Sequence, residues 1–385
     1  MDSIDKLNKI LSQQRCTLLG IGPMSKNCVD AVADITNSFN IPLMLIASKR
    51  QIEAKRFGGG YVNNWTTESF SEYVKDIDKK NNIILCRDHG GPWQNSKGKS
   101  KEYGYNKAIE DAKKSYEADI CSDFKIIHID PSEGISKIND LDIMLERIFD
   151  LYDFCFNKTT EMEKKISFEI SIGKEDGGIH TFEEVEYAVS RMEEFCMENN
   201  FPLPLFLVVR TGNEVRETQN TDNFSKIING NESTKKKDML KIIDMCNKKG
   251  IMIKEHNTDY LPDSVLAQHP DIGIHACNVA PEFGVTETRA FLSLLKKEHM
   301  DREYDKFLEL AFLSNKWKKW MYPNTNAGIF EKAVISGHYI FSTTEFIELK
   351  NVVQEKISTT NVDEYLTNVV KDSMLRYLRL FKMIN

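Results

Sequence analysis

The sequence predicts a (β/α)8 TIM barrel followed by a helical extension, and three observations predict it. Eight short apolar runs, each ending in glycine or a polar group, lie between residues 17 and 276. Most are separated by stretches with helical periodicity or strong helix formers, an alternation that builds parallel strands. After residue 288 the pattern is helical only, which divides the chain into a barrel, 1–288, and an extension packed on it, 289–385.

The first run, Thr17 to Ile21, is followed by Gly22-Pro23 and a helix carrying Val29, Val32, Ile35 and Phe39. Leu43 to Ala47 is the second and ends at Ser48-Lys49-Arg50. The third, Ile83 to Cys86, breaks into Asp88, His89, Gly90, Gly91 and Pro92, which mark the end of a strand and the loop after it. Phe124 to Ile129 is the fourth, ending in Asp130-Pro131, with a helix through Leu141, Met144, Leu145 and Ile148 behind it. In the fifth, Lys165 to Ile172, Ser167, Glu169 and Ser171 alternate with Ile166, Phe168 and Ile170, so polar groups point to one face, which in a barrel could be the interior. Leu205 to Val209, Ile251 to Ile253 and Asp271 to Ala276 complete the set. Beyond them come helices over 291–298, 303–313 and 362–383, and a Trp317-Lys318-Lys319-Trp320 element suited to core or interface. A doubly wound open sheet is the rival fold. It would carry a glycine-rich dinucleotide loop after its first strand, and Gly20-Ile21-Gly22-Pro23 is a poor version of one.

At 385 residues, 41% hydrophobic and 28% charged, the chain has the composition of a soluble globular protein with a sizeable core. A net charge of -7 gives no general electrostatic reason for nucleic acid or an anionic membrane as partner. The eight cysteines form no C-x-x-C pair and read as small buried residues of a reduced compartment. The N-terminus lacks the apolar core of a signal peptide and no run is long enough to span a bilayer, so a cytoplasmic location is expected.

Active sites of such barrels lie at the C-terminal ends of the strands, so the polar residues after each run are the candidates. They include Asp88, His89, His128, Asp130, Glu169, Glu175, Glu214, His256, Asp259, His275, Asn278 and Glu282, with four of the chain's eight histidines. A catalytic divalent ion commonly takes three protein ligands, imidazole and carboxylate among them, and keeps one position open. His89 and His256 are the first two candidates and Glu214 the third, with His275 as its competitor. Zinc is the expected metal, with manganese as the alternative. Asp88, beside His89, suits proton transfer, because one residue can ligate while its neighbour accepts a proton. Glu169 or Asp259 is a candidate for a second proton. Ser48, Lys49, Arg50, Asp130, Asn278 and Glu282 are candidates for substrate contacts. Gly58-Gly59-Gly60 and Gly177-Gly178 suit either close backbone approach to a ligand or plain flexible loops.

The segments IILCRDHGGPWQ (83–94), FGGGYVNNWT (57–66), KIIHIDPS (125–132), EHNTDY (255–260) and WKKW (317–320) resemble, in the same order, those of the tagatose-bisphosphate aldolase accessory-subunit family, GatZ/KbaZ. The resemblance implies a class II aldolase-like barrel, some members being non-catalytic partners of an aldolase subunit and relatives being metal-dependent epimerases of ketoses or keto-uronates. By that resemblance His89 and His256 fall at metal-ligand positions, Asp88 at the proton-transferring carboxylate, Asn278 at an asparagine near the substrate, and Glu214 at a family glutamate. The sequence departs from the family after the second strand, where Ile46-Ala47-Ser48-Lys49-Arg50 lacks a glutamate and introduces two cations, and at Trp93, where members have a small polar residue.

Two functions are therefore expected to compete. One is a metal-dependent reaction beside a ketone, either aldol cleavage or epimerisation through a retro-aldol step, on a small sugar. The other is a non-catalytic subunit that stabilises a separate aldolase subunit; the assembly would be a homo-oligomer in the first case and a hetero-oligomer in the second. An anionic group on the substrate is expected on the strand-two side of the mouth, near Lys49, Arg50, Lys55 and Arg56, because the loops after strands seven and eight are acidic.

Overall fold

The computed structural model of the chain describes residues 3–94, 104–133, 141–173, 181–209, 211–230 and 233–385. Eight parallel strands close into a barrel: β1 (Leu18–Ile21), β2 (Leu43–Ser48), β3 (Ile83–Gly90), β4 (Ile126–Ile129), β5 (Ser167–Ser171), β6 (Phe206–Val209), β9 (Met252–Glu255) and β10 (Ala276–Val279). Strand β10 pairs back onto β1, with Leu18 opposite Ala276 and Gly20 opposite Asn278. Two two-residue strands, β7 (Val215–Arg216) and β8 (Gln219–Asn220), form an antiparallel hairpin in the connection after β6. Most barrel-strand residues are buried, as expected where helices cover one face of a sheet and the other lines a filled interior.

Helix α1 (Ser3–Gln13) precedes the barrel; α2 (Lys26–Phe39), α3 (Thr67–Ile77), α4 (Tyr105–Cys121), α5 (Leu141–Glu161), α6 (Phe182–Asn199), α7 (Asn223–Asn229) and α8 (Ser233–Lys248) alternate with its strands, and the short α9 (Asp263–Leu266) and α10 (His269–Ile272) join β9 to β10. Their starts follow side-chain capping: Ser25 accepts from the Cys28 N–H, and Thr66 and Thr181 form capping boxes with Ser69 and Glu184. The eighth strand corrects the sequence expectation. Residues 269–272 are a helical turn, ended by Gly273 at φ 99°, and the strand begins at Ala276, which puts Asn278 within it.

Helix α11 (Pro281–Lys297) runs across residue 288, so the expected division falls inside one helix. It leads to α12 (Asp301–Leu313), α13 (Ile329–Ser336), α14 (Thr344–Lys356) and α15 (Val362–Leu380). The extension has its own core around Phe291, Phe307 and Phe346, whereas Val370, Met374, Tyr377 and Phe381 of the terminal segment join the barrel core. Trp317 is half-buried on Phe312 and donates to its carbonyl at 2.9 Å. No helix among the described residues is long and apolar enough to cross a membrane.

Candidate active site

Alternation along the strands sends every second side chain into the barrel. At the C-terminal ends this places Asp88 from β3, His128 from β4, Glu169 from β5, Lys254 from β9 and Asn278 from β10 around one centre, with His89, Asp130 and His256 just above. The register of β3 against β4 shifts between Arg87 and Gly90, and His89 there takes φ 46°. Such an irregularity re-aims side chains at a strand end, and a left-handed histidine there is held by its surroundings. Gly20 leaves room for Asn278: a Cβ at this position would lie 2.4 Å from Asn278 Oδ1.

The hydrogen bonds fix the tautomers. His89 Nδ1 lies 2.7 Å from Asp130 Oδ2, and His256 Nε2 lies 3.0 Å from Glu169 Oε1. A carboxylate accepts, so each of those nitrogens carries a proton and each ring keeps a lone pair on its other nitrogen. Those two nitrogens, His89 Nε2 and His256 Nδ1, face one another at 3.3 Å. Two lone pairs at that distance repel unless a cation joins them, either a proton on His89 Nε2, which Asp88 and Asp130 favour, or a metal in its place. The separation matches the edge of a tetrahedron of nitrogens about 2.0–2.1 Å from a metal, and an imidazole backed by a carboxylate is the usual form of a metal-ligating histidine. The pair thus fits a divalent ion, with a cavity of about 170 Å³ beside it, which Glu214 and Ser171 also line.

A second group of donors, Asp88, His128, Glu169 and His256, lies deeper with ligand atoms within 4.8 Å of one another. The lone pairs of Glu169 and His128 are already engaged. Glu169 Oε2 pairs with buried Lys254 Nζ at 2.6 Å, its Oε1 holds His256, and His128 Nδ1 accepts the backbone N–H of His89 at 3.1 Å. These residues therefore orient the upper pair. A third group, Glu255, His269 and Cys277, faces the helices, and Thr211, Asn213 and His269 saturate the Glu255 carboxylate.

Electrostatics keep the centre ionised. Burial would push Asp88 up, but His89, His128 and His256 outweigh it and hold the carboxyl well below the usual carboxylate range. Burial opposes the charge of Glu169 too, and Lys254 and the histidines bring its pKa down to about 2. For His89, burial disfavours the cation, yet Asp88 and Asp130 raise its pKa to about 9, while burial lowers that of His256. The more basic ring thus faces the less basic one. Asn278 Nδ2 donates to Asp88 Oδ1 at 3.1 Å.

Other expected residues are placed elsewhere. Glu214 shares the smaller cavity but pairs with Arg216 Nε at 3.3 Å and joins no close donor group among the described residues. His275 corrects its reading as a ligand: its Nδ1 accepts the Ile253 N–H, and it lines a pocket with Gln14, Arg15 and Cys16 at the opposite end of β10. Asp259 accepts from the Ala280 and Glu282 N–H groups at the start of α11. Burial and the Glu282 carboxylate push it up to about 7 against those two bonds. Glu282 takes Tyr260 N–H, Tyr377 Oη–H and Arg376. The Lys49 ammonium is buried beside Glu53 at 3.8 Å and donates to Gly91 O. Lys55 and Arg56 are exposed. Glu175, Gly177 and Gly178 lie outside the described residues.

Ser48, Arg50, Asp88, His89, Asp130 and Gln94 line a larger cavity of about 420 Å³ at the mouth. Arg87 holds this rim: buried against Asp119, it donates to the Ala47 and Ile52 carbonyls at 2.8 Å on either side of Arg50. Lys254 and the mouth residues of the extension were not among the sequence candidates. For Lys254 the signal existed, since it stands two residues before His256 and so shares its inward face.

No protein-family description and no curated protein matches the sequence. Solved structures do match. A probable tagatose 6 phosphate kinase from Sinorhizobium meliloti superposes with a TM-score of 0.76 at 14% identity, over 94% of this chain and 100% of that one. The fructuronate-tagaturonate epimerase UxaE from Cohnella laeviribosi gives 0.56 at 10% identity, over 96% and 82%, and the YdjI aldolase from Escherichia coli gives 0.52 at 13%, over 98% and 94%. At these identities the likeness shows the fold, a parallel eight-stranded barrel.

Proposed function

We propose that the chain is a metal-dependent enzyme of the class II aldolase type, acting on a ketose or ketose derivative by aldol cleavage or by epimerisation through a retro-aldol step. The observation that carries this reading is the facing pair of imidazole nitrogens, His89 Nε2 and His256 Nδ1, at the spacing of two metal ligands, each ring backed by a carboxylate, beside an ionised Asp88. The motif resemblance to the GatZ/KbaZ family supports it, and an aldolase and a ketose-acid epimerase are among the proteins that share the fold.

His89 and His256 would hold the cation, zinc or manganese, with Glu214 as a carboxylate on the wall of the cavity beside them. Once bound, the ion supplies a Lewis acid for a carbonyl and its enediolate. Asp88 accepts the proton of the substrate hydroxyl, and Asn278 fixes its orientation. Glu169 stays bound between Lys254 and His256 and acts by positioning. Ser48 and Asp130 face the mouth, where the sugar hydroxyls would lie.

Elemental analysis of the purified chain, followed by product analysis on ketoses, ketose phosphates and keto-uronates with and without a chelator, tests the reading. Stoichiometric metal and chelator-sensitive turnover are expected. Turnover indifferent to chelation overturns the metal role. A metal-free chain that copurifies with an aldolase subunit supports the non-catalytic partner role instead.

A further inference from the structure

Anionic substrates of such barrels are often held by the loops after the last two strands, where backbone N–H groups at a helix start point at the ligand. That place is filled here by the chain itself. Asp259 accepts from Ala280 N and Glu282 N, both at 2.9 Å, and the Glu282 carboxylate stands beside it. An incoming anion would meet two carboxylates and find these donors taken.

The rim beyond β2 carries cations instead. Arg50, just past β2, and Lys319, from the extension, are the two lysine or arginine side chains lining the mouth cavity among the described residues. They converge on one aromatic wall. Lys319 Nζ lies 4.4 Å from the ring centre of Trp320 and 5.2 Å from that of Tyr339, Trp320 Nε1 donates to Tyr339 Oη at 3.2 Å, and Tyr61 packs on Tyr339 at 4.6 Å. Arg50 faces the same wall, its charge favouring ionisation of both Tyr61 and Tyr339 against their burial. Its carboxylate contact among the described residues is loose, Glu133 at 3.5 Å, and both partners are about a third exposed, at 31% and 40%.

The wall is also built to stay in place. The Lys319 and Trp320 carbonyls accept from Arg216 Nη1 and the Glu217 N–H of the β7–β8 hairpin, and Ser342 accepts the Asn63 N–H through Oγ and an Asn64 Nδ2–H through its carbonyl, in the loop after β2. The extension is thereby tied to the two loops that flank the mouth.

We propose that Arg50 and Lys319 form a subsite for a terminal carboxylate or phosphate of the substrate, on the rim beyond β2 and not at the N–H groups after β9 and β10. This rests on the reading of the cavity as a sugar site. A guanidinium fork can take two anion oxygens and release Glu133, while Lys319 adds a second charge over an apolar floor that weakens competition from water. The extension then contributes directly to substrate choice.

Calorimetric titration of the full chain with D-glycerate, glycerol 3-phosphate and glycerol, at low salt and without turnover, tests the subsite. At least one anion should bind about tenfold or more tightly than glycerol, and Arg50→Gln and Lys319→Gln should each remove about that factor. Lys319→Arg should retain it, and Lys318→Gln, one residue away, should bind as the parent. Preference for glycerate identifies a sugar acid and preference for glycerol 3-phosphate a sugar phosphate. Neither anion exceeding glycerol, or equal binding by Arg50→Gln and Lys319→Gln, overturns the proposal. Anion binding without turnover on any sugar would count against the enzyme reading alone, and turnover on a neutral ketose without anion binding against the subsite alone.

Discussion

His89 Nε2 and His256 Nδ1 point at one another across 3.3 Å, and the far nitrogen of each ring is fixed by a carboxylate, Asp130 for one and Glu169 for the other. His89→Ala and His256→Ala should each abolish stoichiometric metal binding while leaving the circular dichroism spectrum of the barrel, because both side chains sit above the packed layers. Asp130→Asn should be milder, lowering metal affinity about 10–100-fold, since the ring remains but its tautomer is no longer enforced. Metal content and competitive metal titration decide. Normal binding in both histidine variants would remove the pair from the site.

Asp88→Asn separates proton transfer from binding. The amide keeps the shape and can still meet Asn278, but it cannot accept a hydroxyl proton. Metal content and substrate affinity should persist while kcat falls by about 10²–10⁴. A variant with parental kcat would exclude Asp88 as the base.

Lys254→Met tests the floor of the site. The ammonium is 1% exposed and pairs with an equally buried Glu169 at 2.6 Å, so its removal takes the cation from a buried carboxylate and leaves His256 as its hydrogen-bond partner. A loss of about 3–5 kcal/mol in denaturant unfolding is expected. The double variant Lys254→Met, Glu169→Gln should recover part of it, because no unpaired charge remains. Equal stability of parent and single variant would show that the pair contributes nothing net.

Lys49 shows how far the sequence could be read. Lys49 and Arg50 are adjacent cations after the second strand, and composition cannot tell which turns inward. The fold buries Lys49 beside Glu53, four residues on, and leaves Arg50 at the mouth. Lys49→Ala should therefore lower thermal stability and not act as a substrate-contact variant. The apolar runs revealed the barrel because buried strands are nearly continuous in hydrophobicity. Alternation within KISFEISI already turned Glu169 inward, and the same test on IMIKEH would have found Lys254. Asp259 was not legible, since the N–H groups it caps lie 21 and 23 residues further along the chain. The β7–β8 hairpin was missed because strands of two residues leave no periodic signal.

Glu287 gives a pH dependence whose sign can be worked out. It joins three helices: its carboxylate takes Ser25 Oγ–H and Asn27 Nδ2–H from the start of α2, and Asn27 also reaches Asp363 of α15 at 3.2 Å. Burial pushes its pKa up, with Asp363 adding to it and the two hydrogen bonds opposing, from an ordinary 4.5 to about 7. The unfolded chain ionises this group near 4.5 and the folded chain near 7, so between those values the unfolded state releases a proton that the folded state keeps. The contribution of Glu287 to stability is thus greatest below the lower value, falls through the interval, and is flat above it. Asp88, Asp130 and Glu169, whose pKa values are depressed, act in the opposite sense, and Asp259 acts in the same sense. All four remain in Glu287→Gln, so the difference in melting temperature between variant and parent isolates Glu287. That difference should rise in the variant's favour through the interval and level off at alkaline pH, because the amide still accepts from Asn27 and carries no charge. A difference that does not change with pH would show that Glu287 ionises normally in the folded protein and that Ser25 and Asn27 stabilise the carboxylate enough to cancel its burial.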